Sequence, residues 1–328
     1  MARLLRTTAR SLLIAAAAWG LSAGIAAANA RAEPAKVATT PAEIVSPVQL
    51  AAARQELAQA LASNSAASRA HAVEALRQGL GERAAEEIIK ALDDTSPMVR
   101  FAAAMAAGEL RLTQAAGTLL RVTNDANASV RAAAVFGLHR LGDTRFSRSL
   151  EQLLLDPSPD VRGNTCIALG RLGEKSAIKI LLPLLKDTEP SVRLQAGEAL
   201  WLLGDERGMR LLVASTLSAD IHSQMFAMTA LAAARDTRVV GHVKPFLKAA
   251  EPELALMAAR GLGMLGDGDG YKLASAGTQS KAPRHRMLAA LALGAINRPE
   301  AAPTLAGLLK DTDADVRIAA ATALLQLH

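Results

Sequence analysis

An arginine recurs every 31 residues, and that interval constrains the fold more than any other feature of the chain. Arg69, Arg100, Arg131, Arg162 and Arg193 keep it, and Gln224, Ala255, Arg286 and Arg317 fill the next four slots. The register runs from residue 69 to the end without an insertion. A fixed period of this kind marks a solenoid, in which each unit buries its apolar face only against its neighbours. Three residues after the arginine slot stand Ala72, Ala103, Ala134, Thr165, Ala196, Ala227, Ala258, Ala289 and Ala320. Six residues after it every position is Ala or Gly, and seven after it Leu dominates. Ten after it Leu or Ile recurs, with Gly79 and Ala234 as exceptions. Offsets of 3, 6, 7 and 10 trace one face of an α-helix. The small residues let a neighbouring backbone approach, and the leucines fill the space between layers.

The ends of this helix are also written in the sequence. Ser65, Ser96, Asn127, Ser158 and Asp220 stand four residues before the arginine slot and read as N-caps. Pro97, Pro159, Pro190, Pro252 and Pro283 follow them at the first helical position, where no backbone bond is lost. Leu141-Gly142-Asp143, Leu203-Gly204-Asp205 and Leu265-Gly266-Asp267 read as stops. A second helix has the core column Leu57, Ile88, Leu119, Leu150, Leu181, Leu212, Val243, Ala274 and Leu305. Leu57 therefore places a cap helix over 47–63, the second helix of an incomplete unit, and 314–327 is a first helix without its partner. Ala196 is expected to face inward and Ala214 outward. The predicted fold is all-α: an α-α superhelix, a solenoid of about eight 31-residue helix pairs with an N-terminal cap helix. Stacked at ~8–10 Å per layer, it would be on the order of 80 Å long. Asp94, Asp125, Asp156, Asp187 and Asp311 precede the arginine slot by six. They predict a second ladder, each Arg bridging its own Asp and a neighbouring turn to fix the layer spacing.

The strings Asp156–Glu174 and Asp187–Asp205 carry the Asp, Pro, Val-Arg, Ala/Gly and Leu-Gly signals together. They resemble the short HEAT-like repeat named after the phycobilisome lyases, and the resemblance covers about residue 48 to the end. It implies a HEAT/armadillo-like, curved right-handed superhelix with the second helices lining the concave side. It says little about function.

Composition agrees with packed short helices. Hydrophobic residues make up 51% and aromatics 2%, too few aromatic and β-branched side chains for a sheet protein. Met1–Arg10 is basic, Ser11–Ile25 is apolar, and Ala28-Asn29-Ala30 sets small residues two apart. This is the pattern of a signal peptide over 1–30, cleaved after Ala30. The alternative is an uncleaved N-terminal anchor, against which Gly20 and Gly24 weaken a continuous helix. Residues 31–46 read as a disordered linker and 47–328 as the solenoid. Either reading places the repeats in the periplasm or outside the cell, with no membrane span after cleavage. Without Arg3, Arg6 and Arg10 the chain has 34 basic and 31 acidic residues, a net charge of +3. That balance, and the scarcity of aromatics, argue against a nucleic-acid partner. The single cysteine, Cys166, precludes an intramolecular disulfide.

No catalytic set emerges. The six histidines, at 71, 139, 222, 242, 285 and 328, are not paired with Cys or His at ligand spacing. His71 and Glu74 share a helix face, a weak metal signal. Cys166 falls in a small, apolar column, as a core residue would. Deoxyhypusine hydroxylases of similar repeats carry His-Glu dipeptides that bind iron, and this chain has none. The reading is of no enzyme and no cofactor, but of a scaffold or adaptor for a protein partner; the alternative is a phycobilin-lyase-like subunit or a chaperone handling a prosthetic group. On the second helices Arg145, Arg148, Lys179, Arg207, Arg210, Arg238 and Lys272 form a basic band, suited to an acidic segment of a partner. Two other surfaces are candidates: the Met-rich units around Met225, Phe226, Met228, Met257 and Met264, and the last helix with Val316 and Leu324. N-terminal sequencing of the exported protein should begin at Arg31 or within a few residues of it; a retained Met1 would establish the anchored form.

Overall fold

The computed structural model describes residues 44–327. The expected signal peptide and most of the expected linker lie outside them. Eighteen α-helices follow in order: α1 Pro47–Leu61, α2 Ala66–Gly79, α3 Ala85–Ala91, α4 Pro97–Glu109, α5 Ala116–Val122, α6 Ala128–Arg140, α7 Arg148–Leu153, α8 Pro159–Leu172 and α9 Ile178–Leu181. The rest are α10 Pro190–Leu202, α11 Glu206–Ser215, α12 Ile221–Ala233, α13 Val240–Val243, α14 Pro252–Met264, α15 Tyr271–Gly277, α16 Pro283–Ile296, α17 Ala302–Leu308 and α18 Ala314–Leu327. Even numbers are first helices of the repeat and odd numbers second helices. No strand occurs among the described residues.

Local chemistry explains these boundaries. Ser46 and Gln49 form a reciprocal capping box at the start of α1. Ser65, Asn127 and Asp220 cap their helices as expected. Ser96 and Ser158 make no side-chain cap bond; instead Asp94 and Asp156 accept their backbone N–H groups. The second helices α9 and α13 are a single turn of α followed by a 3-10 stretch containing Pro183 and Pro245. Proline has no N–H to give to the α ladder and favours this tighter ending. Gly142, Gly173, Gly204 and Gly266 take positive φ where the first helix stops, and Arg111, Arg235 and Asn297 hold the same left-handed turn in three other units.

The packing columns match their sequence pattern. Every residue of the small column from Ala72 to Ala320, and of the second-helix column from Leu57 to Leu305, is fully buried. Ala196 is buried and Ala214 exposed.

The solenoid closes on itself. Helix α18 packs along both α1 and α2, as each first helix packs on its own second helix and on the next first helix. The incomplete unit at the start is thus completed by the incomplete unit at the end, and nine helix pairs form a ring. The expected 80 Å length exists only as contour. At about 9–10 Å between neighbours, nine first helices would set their axes roughly 14 Å from the centre. First helices lie flank to flank all the way round, and their side chains meet across the middle. They therefore form the inner layer. The second helices lie outside, not on the concave side as the resemblance implied.

The arginine ladder is real, but its direction is reversed. Arg69 pairs through Nε and Nη2 with Asp94 of the following unit at 2.7 Å, while Nη1 donates to the carbonyls of Ser63 and Asn64 in its own turn. Arg100–Asp125, Arg162–Asp187 and Arg286–Asp311 repeat this geometry. Arg131 and Arg193 make only the carbonyl bonds; the slot facing Arg193 is Ser218. The last arginine, Arg317, pairs with Glu56 of α1 at 2.9 Å, which carries the ladder across the seam.

The seam also explains Gly79, an exception to the leucine column. A Cβ at Gly79 would stand 2.6 Å from the Cβ of Leu325. Elsewhere the order of sizes is inverted: Gly263 and Gly294 are the small partners, against Ile296 and Ala323 of the next helix. Gly79→Ala should destabilise the ring by roughly 1–3 kcal/mol through overpacking, despite a gain in helix propensity of about 1 kcal/mol. Leu325→Gly, which removes the opposing Cβ, should relieve that strain, so that the double variant unfolds in denaturant at least about 0.5 kcal/mol later than additivity predicts. Additive costs would show that the two ends do not touch.

Candidate functional site: a charged centre and a basic outer layer

Ring closure turns positions 5, 8 and 9 after the arginine slot toward the centre. Across the units many of these residues are small or apolar, such as Met105, Phe136 and Ile167. In some they are charged: Glu74 and Arg77 on α2, Glu109 on α4, Arg140 on α6, Arg171 on α8, Glu198 on α10 and Arg260 on α14. Glu74, Arg77, Arg171, Glu198 and Arg260 are all buried. Arg77 chelates Glu74 through Nε and Nη2 and reaches Glu109 Oε2 at 2.8 Å through Nη1. Arg171 bonds Glu109 Oε1 from two first helices away. Gln78 Nε2 donates to Glu74 at 2.6 Å. The network thus passes from α2 through α4 to α8, across the ring.

Burial sets the electrostatics here. It pushes the Glu198 carboxyl up to about 7, against a weaker pull from Arg171. It also lowers Arg260 to about 10, with Glu74 acting in the opposite sense. For Arg77 burial opposes the cation, but Glu109 and Glu74 together hold it charged and raise its pKa. Charges of this kind are costly to bury unless paired, and the ring joins Arg77, Glu109 and Arg171 across helices that are not sequence neighbours.

The residues singled out from the sequence fall elsewhere. Arg145, Arg148, Lys179, Arg207, Arg210, Arg238 and Lys272 are all exposed. They lie on or at the starts of the second helices, on the outer layer. Four are partly neutralised by nearby carboxylates. Arg145, Arg207 and Arg238 pair with Asp143, Asp205 and Asp236, each two residues before. Arg238 also reaches Glu206 at 3.2 Å, and Arg210 lies 3.9 Å from the same carboxylate. Among the described residues, no carboxylate lies within ion-pair distance of Arg148, Lys179 or Lys272. Arg145 and Arg238 also lie over the rings of Phe146 and Trp201.

Two alternative surfaces are removed. Met225, Phe226, Met228 and Met257 are buried in the core and Met264 is half-buried, because the first helices that carry them pack against neighbours on both flanks. Val316 and Leu324 are also buried, because α1 and α2 cover the last helix. His71 and Glu74 are drawn to different partners, with His71 Nδ1 3.2 Å from Asp315 across the seam. Cys166 is buried, and its thiol is pushed well above the ordinary range by desolvation.

The buried charges were missed because they break no period. Their only sequence trace is a charge at positions 5, 8 or 9 where other units carry small or apolar residues, and that is uninformative until the inner face is known.

A sequence model of HEAT repeats matches residues 54–139, 146–223 and 240–325. No curated protein matches the chain. Among solved structures, the complex of CpcE and CpcF of phycocyanin lyase from Nostoc sp. PCC7120 is similar at 24% identity, covering 70% of this chain and 92% of that one, with a TM-score of 0.45. Human deoxyhypusine hydroxylase is similar at 21% identity, covering 77% and 98%, with a TM-score of 0.39.

Glu198 gives the centre a measurable pH signature. Its folded pKa lies above the 4.5 of the free group. Below about pH 4.5 both folded and unfolded chains hold the proton and nothing is lost. As pH rises toward 7 the unfolded chain releases the proton first, so stability falls, by about 3 kcal/mol in total. Glu198→Gln should remove that slope. Urea unfolding from pH 4.5 to 8 should show the variant gaining on the native protein as pH rises, and a constant difference would mean that Glu198 ionises freely.

Proposed function

The chain belongs to the HEAT-repeat family, and from that premise we propose that it is an extracytoplasmic scaffold or adaptor that holds a protein partner on the outer layer of its ring. One observation carries this reading. Arg148, Lys179 and Arg210 stand at the same position of three consecutive units, all exposed, on the layer that faces away from the core. Arg145, Arg207 and Arg238 flank them, and Lys272 extends the band to a fifth unit. A row of exposed cations set one per repeat suits an extended acidic segment, because its carboxylates can follow the repeat spacing.

The signal-peptide pattern over residues 1–30 supports the location, which is part of the same proposal. The role is one of binding and not catalysis. The buried charges at the centre are largely engaged with one another, and Cys166, the only thiol, is held protonated in the core. No helix among the described residues is long and apolar enough to cross a membrane.

The test uses a partner crosslinked to the exported protein and then purified. Reversing Arg148, Lys179 and Arg210 to Glu should weaken its binding by roughly tenfold or more, mostly through the association rate. Far-UV circular dichroism should stay unchanged, because exposed ion pairs contribute only ~0–1 kcal/mol each. Raising salt should weaken binding to the native protein in the same direction, since exposed charges are screened over ~10 Å at 0.1 M. Binding indifferent both to salt and to the triple reversal would remove the acidic partner from this band.

A further inference from the structure

The centre of the ring holds more guanidinium than its carboxylates satisfy, and the surplus gathers at one end. Arg171 is 5% exposed. Its Nη1 is bonded to Glu109, but its Nη2 is buried without a hydrogen-bond partner among the described residues. Arg140, at the same position one unit earlier, has a buried Nε that is likewise unsatisfied. Burial and then the like charge of Arg111 hold its pKa below the ordinary value, and the attraction of Glu109 does not restore it. Glu109 already serves Arg77 and Arg171. Across from Arg171, Glu198 keeps a buried Oε1 with no partner.

These groups share one location. Glu109 and Arg140 are the last residues of α4 and α6, Arg171 is the penultimate residue of α8, and Arg111 stands two residues past the end of α4. Arg111 is exposed, so the cluster runs from solvent at the mouth of the ring down to the buried Arg171. The backbone of Arg111 has φ of +52°, a conformation that glycine takes at the matching position of four sister units.

We propose that Arg111, Arg140 and Arg171 form a binding site for a small dianionic oxyanion, a phosphate group, at this mouth of the ring. A tetrahedral phosphate offers several acceptor oxygens, and planar guanidinium groups match them in pairs. Arg171 Nη2 and Arg140 Nε supply donors that now have no acceptor, and Arg111 supplies an exposed charge at the rim. The C-terminal carbonyls of the inner helices disfavour an anion here, which is why one arginine would not suffice and three are needed. The site is separate from the outer basic band, so either can fail alone.

Inorganic phosphate and methyl phosphate are the probes, titrated calorimetrically into the full exported chain, with sodium chloride and sodium acetate at matched ionic strength as controls. Both phosphates should bind with one site per chain and raise the melting midpoint above the controls. Methyl phosphate binding tighter than inorganic phosphate would identify the phosphate as a part of a larger metabolite; the reverse would identify free phosphate, and either supports the site. Arg111→Gly removes the rim guanidinium while relaxing the positive φ, so it should fold at least as well and bind phosphate roughly tenfold or more weakly. Arg140→Gln should weaken binding to a similar degree. Arg235→Gly changes the same backbone position in another unit and should leave binding within about twofold. Phosphate that stabilises no more than chloride or acetate would overturn the proposal. So would Arg111→Gly and Arg140→Gln variants that bind like the native protein, since the anion would then sit elsewhere.

Discussion

Everything else in this structure depends on the contact between the last helix and the first two. Each repeat needs a second helix behind its first helix and another first helix beside it. An open solenoid leaves those needs unmet at both ends and must cover them with polar capping units. Here the described residues start with a lone second helix, α1, and end with a lone first helix, α18, and each supplies what the other lacks. Nine units share one full turn, so each contributes roughly 40°. The small residues of the inner layer permit that curvature, since helices carrying Ala and Gly at their contacts approach more closely than the outer ones. A closed array has no edge, and its units can no longer fray one by one from an end.

The arginine ladder sets the spacing within this ring. In four units Nη1 ties the arginine to the turn before its own helix, and the Nε–Nη2 edge takes the next unit's aspartate. The guanidinium is therefore a planar strut between layers, and the same aspartate caps the following turn through a backbone N–H. The ladder is interrupted at Arg193, where Ser218 replaces the aspartate. At the other end of α10, Trp201 bridges to α12, its Nε1 donating to the Leu231 carbonyl at 3.1 Å. Ala234, the second exception to the leucine column, lies in that cluster with Trp201.

Closure also decides where charge can go. On the outer layer an Asp two residues before the Arg neutralises three of the seven exposed cations, so the band is a row of local pairs with Arg148, Lys179 and Lys272 left uncompensated. In the centre, side chains from separate helices converge, and charges far apart in the chain become neighbours. Arg171 and Glu109 are 62 residues apart and bonded. Unequal numbers of the two signs leave buried donors without acceptors at one mouth, a condition that a bound anion relieves.

The sequence by itself determined the 31-residue unit, the two helices in it and the faces they bury. Those features rest on local geometry: 3.6 residues per turn makes offsets of 3, 6, 7 and 10 one stripe, and Ala196 and Ala214 fall on the sides the pattern assigned to them. Leu57 even marked α1 as a second helix without its first. The tertiary structure alone decided that the first helices face inward, that the ladder runs forward to the next unit, and that the ends meet. These follow from a rotation per repeat that packing sets through contacts such as Gly79 against Leu325. A few degrees more or less in each unit would give an open superhelix from the same periodic pattern, because small rotations accumulate over nine repeats while the pattern records only which face is apolar.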